Sequence, residues 1–184
     1  MPRRHPRLPT RWLMTDERLG DGLWDAVRRL PPGSGIVFRH YRTPAAERRR
    51  LFQRLRRIAR ARGLVLVRAG ATAMAGEMGV HARRGAGMVT WPVHDRREAA
   101  RARAGGADLV FVSPLFATRS HPGEGGLTRH RAAALVGALP MPAIALGGMD
   151  ARRFRALRVL GFVGYAGIDC WTQPARQKRK AVPT

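Results

Sequence analysis

Gly147 and Gly148 stand directly before a helix start near Asp150. Glycine lets the backbone come close to an anion, and the first turn of a helix presents N–H groups at the positive end of its dipole. A phosphate suits that pattern. Gly167, behind a later apolar run, would extend the cradle, and Thr118 and Ser120 would add hydroxyl donors. The same two glycines also suit a plain helix-entry turn. Arg39, His40 and Tyr41 follow another short apolar run and form a second polar group.

Other residues that could do chemistry have plainer readings. His81 ends a short apolar run and reads as packed, whereas His94 fits a helix cap or a pocket donor equally well. Cys170 has no activating neighbour in the sequence and reads as a small buried apolar residue. A lone cysteine excludes an internal disulfide and a multi-cysteine zinc site. Trp12, Trp24, Trp91 and Trp171 read as packing residues.

These groups need elements to position them. Eight short apolar runs recur along the 184 residues, at 12–14, 35–38, 64–67, 78–80, 87–90, 108–112, 143–146 and 163–166. They do not alternate, as expected for parallel strands buried on both faces. Helical patterns separate most of them. Leu23, Trp24, Val27 and Leu30 share one face, as do Leu51, Phe52, Leu55, Ile58 and Ala59. Thr43-Pro44 reads as an N-cap with proline at the first helical position. Asp95 and Glu98 form a capping-box pattern. Helices are further expected over 127–139 and 151–160, while 69–78 and 82–87 are too short for one each.

Eight strands alternating with helices predict an α/β fold, a compact (β/α)8 TIM barrel over residues 10–172. Basic tails, read as unstructured, flank it at 1–9 and 173–184. An open doubly wound sheet is the runner-up, weakened because no Gly-x-Gly-x-x-Gly follows the first strand. In a barrel, function sits at the C-terminal strand ends, with phosphate favoured after strands 7 and 8. Gly147, Gly148 and Gly167 fall there.

Lys and Arg total 35 against 12 acids, a net charge of +23, and the only lysines are Lys178 and Lys180. Two readings fit. The arginines solvate helix faces, or they present a polyanion surface. Their scatter over every expected helix favours the first. The basic N-terminus has no apolar stretch behind it and does not read as a secretory signal. No apolar run is long enough to span a membrane. A cytoplasmic protein with no membrane partner is expected.

Residues 107–122, Ala-Asp-Leu-Val-Phe-Val-Ser-Pro-Leu-Phe-Ala-Thr-Arg-Ser-His-Pro, resemble the signature of the thiamine phosphate synthase family, which includes the thiazole tautomerases. Pro142 to Met149 is similar to that family's Pro-Val-Val-Ala-Ile-Gly-Gly-Ile. Trp12 to Asp16, Gly79-Val80-His81 and Val89-Thr90 with His94 and Glu98-Ala99 resemble its other motifs, in order, over about residues 11–168. The resemblance implies a (β/α)8 barrel. It implies a thiazole-phosphate pocket built by the strand 6, 7 and 8 loops, held by Thr118, Ser120, Gly147 and Gly148. It also implies a second ligand, a pyrimidine pyrophosphate bound with magnesium, whose pyrophosphate leaves as the thiazole nitrogen attacks.

The departures from the family pattern cluster. Only Arg39 remains of its Gln-x-Arg-x-Lys, with Tyr41 at the lysine position. Its Asn-Asp after strand 3 is Arg68-Ala69, and the loop after strand 4, Ala82-Arg83-Arg84-Gly85-Ala86, holds no acid. His121 replaces a lysine, and Gly167-Ile168-Asp169 replaces Ser-Ala-Ile. Magnesium is expected for the family, but its carboxylate ligands are absent, so no cofactor is evident. Arg68, Arg83 and Arg84 are candidates to neutralise a pyrophosphate directly. The tautomerase histidine position holds Pro114, which leaves His121 as a substitute.

The expected phosphate-binding set is therefore Arg39, Thr118, Ser120, His121, Gly147, Gly148 and Gly167, with no catalytic base assigned. The expected partner is a phosphorylated small molecule. Nucleic acid would bind only non-specifically, and a homo-oligomer is left open. Three functions are compatible: a divergent synthase, a tautomerase-like enzyme or phosphorylated-ligand binder, and a non-enzymatic polyanion-binding protein.

Overall fold

A computed structural model describes residues 8–116 and 126–172. Eight parallel strands close into a barrel in sequence order: β1 (Arg11–Met14), β2 (Gly35–Phe38), β3 (Val65–Arg68), β4 (Gly79–His81), β5 (Met88–Val93), β6 (Leu109–Val112), β7 (Ala143–Ala145) and β8 (Gly164–Gly167). β8 returns to β1 through the pairing of Trp12 with Ala166. All eight expected strands are present, displaced by at most a few residues at their ends, and the open-sheet alternative is excluded.

Alternation along the strands produces two cores. Trp12, Met14, Val37, Val67, Ala69, Leu109, Phe111, Ile144 and Ala166 fill the barrel interior. Leu13, Ile36, Phe38, Leu66, Val110, Val112, Ala143, Ala145 and Tyr165 face outward to the helices. Apolar residues on both faces explain why these strands read as unbroken apolar runs. Gly35 carries no Cβ for a packing reason: one there would lie 2.2 Å from the Trp12 ring.

Among the described residues five α-helices wrap the barrel: α1 (Gly22–Arg29), α2 (Ala45–Arg62), α3 (Arg96–Ala104), α4 (Arg129–Gly137) and α5 (Ala151–Leu157). None is both long and apolar enough to cross a membrane. The β3–β4 and β4–β5 connections hold no helix, as their lengths required. α3 starts as its sequence predicts. The Asp95 carboxylate accepts the Glu98 N–H at 2.8 Å, and the Glu98 carboxylate accepts the His94 N–H at 2.7 Å.

The α2 start differs by one residue. Pro44 is the cap and Ala45 the first helical position. Thr43 does not cap, because its hydroxyl donates to Glu17 at 3.3 Å and its N–H to the same oxygen at 3.1 Å. A carboxylate from the first βα loop outcompetes the helix end for that hydroxyl.

Candidate functional site

The C-terminal rim of the barrel divides into two halves. Over β1–β4, strand alternation turns Arg39 inward, in step with Val37, while Arg68 points outward, in step with Leu66. Arg39 Nε donates to Thr15 O at 2.9 Å, and its Nη2 lies 3.5 Å from Asp16 Oδ2. Burial pulls the Arg39 pKa down, against the opposing pull of Asp16. Asp16 is shared, since Arg18 Nε also donates to it at 2.9 Å. Burial raises the Asp16 pKa, but the Arg18 hydrogen bonds and the Arg39 charge outweigh that and hold it low.

Beneath Arg39 lies His81. It is buried, with Nδ1 2.9 Å from Thr90 Oγ1 and its ring edge-on to Phe111. Burial, then the nearby Arg39 charge, pushes its pKa down to about 3, so it is neutral at physiological pH. His81 is thus a packed histidine at the floor of the mouth. His40 turns the other way, stacked on Phe38 at 4.7 Å with Nδ1 3.0 Å from Thr15 Oγ1. His94 resolves as a cap residue, its Nδ1 2.6 Å from Glu98 Oε2 on the first turn of α3.

The outer wall behind this half is a buried arginine lattice. Arg48, from α2, donates from Nε to His40 O and from Nη2 to Ala69 O, each at 2.7 Å, and lies over the Phe38 ring. Arg68 Nε donates to Glu77 Oε2 at 2.5 Å and its Nη2 to Glu77 Oε1 at 3.1 Å. Glu77 also accepts the Met74 N–H at 2.9 Å. Sequence reasoning missed Glu77. A signal was present: it is the only acid between Glu47 and Asp95. Arg68 is therefore spent on Glu77 outside the barrel, which corrects its candidacy as a pyrophosphate contact. Arg84, exposed, hydrogen-bonds Ala104 O at the end of α3 through its guanidinium. Arg83 stays at the exposed rim and donates to Ala71 O at 2.9 Å.

Over β6–β8 the loops are bound to each other. Leu115 N–H donates to Leu146 O at 3.0 Å, and Phe116 N–H to Gly147 O at 3.2 Å. Gly147 and Gly148 have φ of +97° and +59°. A Cβ at Gly147 would sit 3.0 Å from both Leu115 N and Pro114 Cα, so this turn needs glycine for its φ and for its space. A Cβ at Gly167 would lie 2.6 Å from Cys170 Sγ and 3.5 Å from Met149 O. The three glycines thus share one corner. Thr118, Ser120 and His121 lie outside the described residues.

Two features of this corner were not read from the sequence. The α5 N-terminus carries its own carboxylate, with Asp150 Oδ1 accepting the Arg153 N–H at 2.7 Å. Arg153 folds back over the glycine turn. Its guanidinium hydrogen-bonds Gly148 O and lies 4.7 Å from the Phe116 ring centroid. Its position three residues beyond the cap was the available sign. Arg39, just after β2, stands away from this corner, which lies at the ends of β6–β8, so the structure does not bring it together with Gly147 and Gly148.

The residues do not fit a divalent metal. Magnesium wants carboxylate oxygens at the mouth. Ala69 instead places a methyl in the inner core, Ala82 follows β4, Asp16 is shared by two arginines, and Glu77 faces outward. Among the described residues no three His, Cys, Asp or Glu side chains gather as a metal-holding group.

Residues 16–170 match the family model described as thiamine monophosphate synthase. Among solved structures, a thiamine phosphate pyrophosphorylase from Pyrococcus furiosus superposes with a TM-score of 0.70 at 19% identity, covering 88% of this chain and 86% of its own. One from Bacteroides thetaiotaomicron gives 0.61 at 19% identity, covering 93% and 89%. No curated protein sequence matches significantly. The barrel and the matched length, 155 of 184 residues counting from 16 to 170, establish that this chain belongs to the thiamine monophosphate synthase family.

Proposed function

We propose that this protein takes a phosphorylated thiazole at the β6–β8 corner and couples it to a hydroxymethylpyrimidine pyrophosphate, as a divergent thiamine phosphate synthase. The glycine turn carries this reading: Gly147 and Gly148 at positive φ, bound to the β6 loop and overlain by Arg153. Without a Cβ at either glycine the backbone can approach an anion closely, and Arg153 adds charge beside it. Because Asp150 occupies the α5 terminus, the phosphate contacts fall to the glycine backbone, to Arg153 and to the hydroxyls of Thr118 and Ser120. His121, at the family's lysine position, is assigned to the same phosphate by the resemblance.

Chemically, the pyrimidine methylene–oxygen bond breaks, pyrophosphate departs with the electron pair, and the thiazole nitrogen forms the new carbon–nitrogen bond. The chain's task is to hold the two rings together and to meet the charge on the departing pyrophosphate. Arg39 is the inward cation on that side. Its fixed bond to Thr15 O orients it before substrate arrives.

The test is calorimetric titration with thiazole phosphate, then with the pyrimidine pyrophosphate, while thiamine phosphate is assayed. Product formation is expected. Thiazole phosphate binding without product would replace the synthase reading by a tautomerase-like or binding role. No binding of either compound would leave the family fold alone, and a steep salt dependence with nucleic acid would then favour a polyanion role.

A further inference from the structure

We propose that the mouth over β1–β4 binds a phosphate anion on Arg39 without a divalent cation. This deepens the reading above and rests on it for the existence of a pyrophosphate-bearing second ligand.

Three observations carry it. Strand alternation leaves Arg39 as the guanidinium that enters the lumen from this half, above a neutral His81. It is pinned through Nε to Thr15 O, which directs its outer nitrogens over the mouth. Its carboxylate neighbour Asp16 is 3.5 Å away and is held more closely by Arg18. An anion therefore meets a guanidinium with donor capacity to spare, since the group carries five N–H donors.

Second, the positions that would hold a cation are filled or turned away. Ala69 packs in the inner core, and Glu77 is gripped by Arg68 on the outer face.

Third, the wall itself is positive. Arg48 is buried, and its hydrogen bonds go to the carbonyls of His40 and Ala69 rather than to a carboxylate. Arg68 lies close enough to depress the Arg48 pKa further, after burial itself. Arg83 stands on the same rim. Fixed cations in a low-dielectric wall attract an anion and repel a dication. Arg48, whose charge no carboxylate cancels, thus supplies from behind the barrel wall part of the electrostatic task of a metal, and Arg39 makes the contact.

The experiment is titration of the intact protein with inorganic pyrophosphate at 0.15 M salt, in EDTA and then in excess magnesium, a salt level at which exposed charges are screened beyond about 8 Å. Affinity is expected to agree within about threefold between the two. Arg39→Gln should weaken binding by about tenfold or more, the loss of one charge-assisted contact. Arg57→Gln, an exposed arginine on α2, should leave it unchanged. Binding that requires magnesium would overturn the proposal. So would an unaltered affinity in Arg39→Gln, an equal loss in Arg57→Gln, or no binding. Thiazole phosphate is titrated into the same samples. Its retention while pyrophosphate fails would sink this inference alone, whereas loss of both would remove the functional reading beneath it.

Discussion

Arg68 and Ala69 are consecutive, yet they leave β3 in opposite directions: the guanidinium grips Glu77 on the outside of the barrel, and the methyl packs in its inner core. One residue step therefore separates an ion pair from the place where an acid would face the mouth.

That pair is structural. Replacing Arg68 by Met leaves Glu77 without its partner at a site where the arginine was only 4% exposed. Breaking a buried pair from one side commonly costs about 3–5 kcal/mol. Urea unfolding of Arg68→Met should show a loss near the lower end, because Glu77 retains some solvent. Glu77→Gln keeps two hydrogen bonds and should lose less. Pyrophosphate affinity should stay within about twofold in Glu77→Gln.

Acid should destabilise the fold through its buried histidines. His81 has a native pKa of about 3 against 6.5 for the free side chain, and burial also lowers that of His40. The unfolded chain binds these protons first. Stability is therefore full above pH 6.5 and falls as pH drops towards 3, by about 1.4 kcal/mol per pH unit for a group that titrates only when unfolded. His81→Asn should flatten that limb in denaturation curves collected between pH 4 and 7. An unchanged slope would refute the assignment.

Gly147→Ala should be costly twice. Its φ of +97° strains an L-residue, and the added Cβ meets Leu115 N and Pro114 Cα at 3.0 Å. A loss of about 1–3 kcal/mol is expected. Phosphate-ester binding should weaken at least tenfold, since the β6 loop has to move. Arg153→Gln, by contrast, should weaken binding and leave the melting temperature nearly unchanged.

Ala82 is the one non-glycine residue at positive φ among the described residues, at +60°. It is exposed and follows His81 on the rim. Ala82→Gly should raise stability by up to about 1 kcal/mol, the relief of left-handed strain less the added unfolded-state entropy. Thermal melts of the purified variant would settle the sign.

Cys170 should be a poor nucleophile. Burial pushes its thiol up to about 12, and Asp169 and Asp150 add to the shift. Iodoacetamide at pH 8 should label the native protein far more slowly than the unfolded chain.

The barrel was legible because its strands are buried on both faces, so each reads as an apolar run between helical patterns. Asp95 was legible as a cap for a similarly local reason. The arginines were harder. Arg39, Arg68 and Arg84 look alike in sequence, and only strand alternation and loop packing send one inward, one outward to Glu77 and one to the end of α3. Thr43 misled because its hydroxyl is claimed by Glu17, 26 residues away. Such competition is settled by tertiary contact and leaves no trace in spacing. The roles assigned to Thr118, Ser120 and His121 rest on the resemblance.

The helix-free β3–β4–β5 arc also governs how the barrel breathes. β4 is three residues long and meets β3 through the single register pair Arg68–Val80, and neither of its connections holds a helix. Local opening takes the least-supported element first. Amide hydrogens of β4 should exchange well before those of β1, β2 and β6, making this edge a seam. Because the seam lies beside Arg39 and His81, its opening would loosen the ligand mouth without unfolding the rest of the barrel.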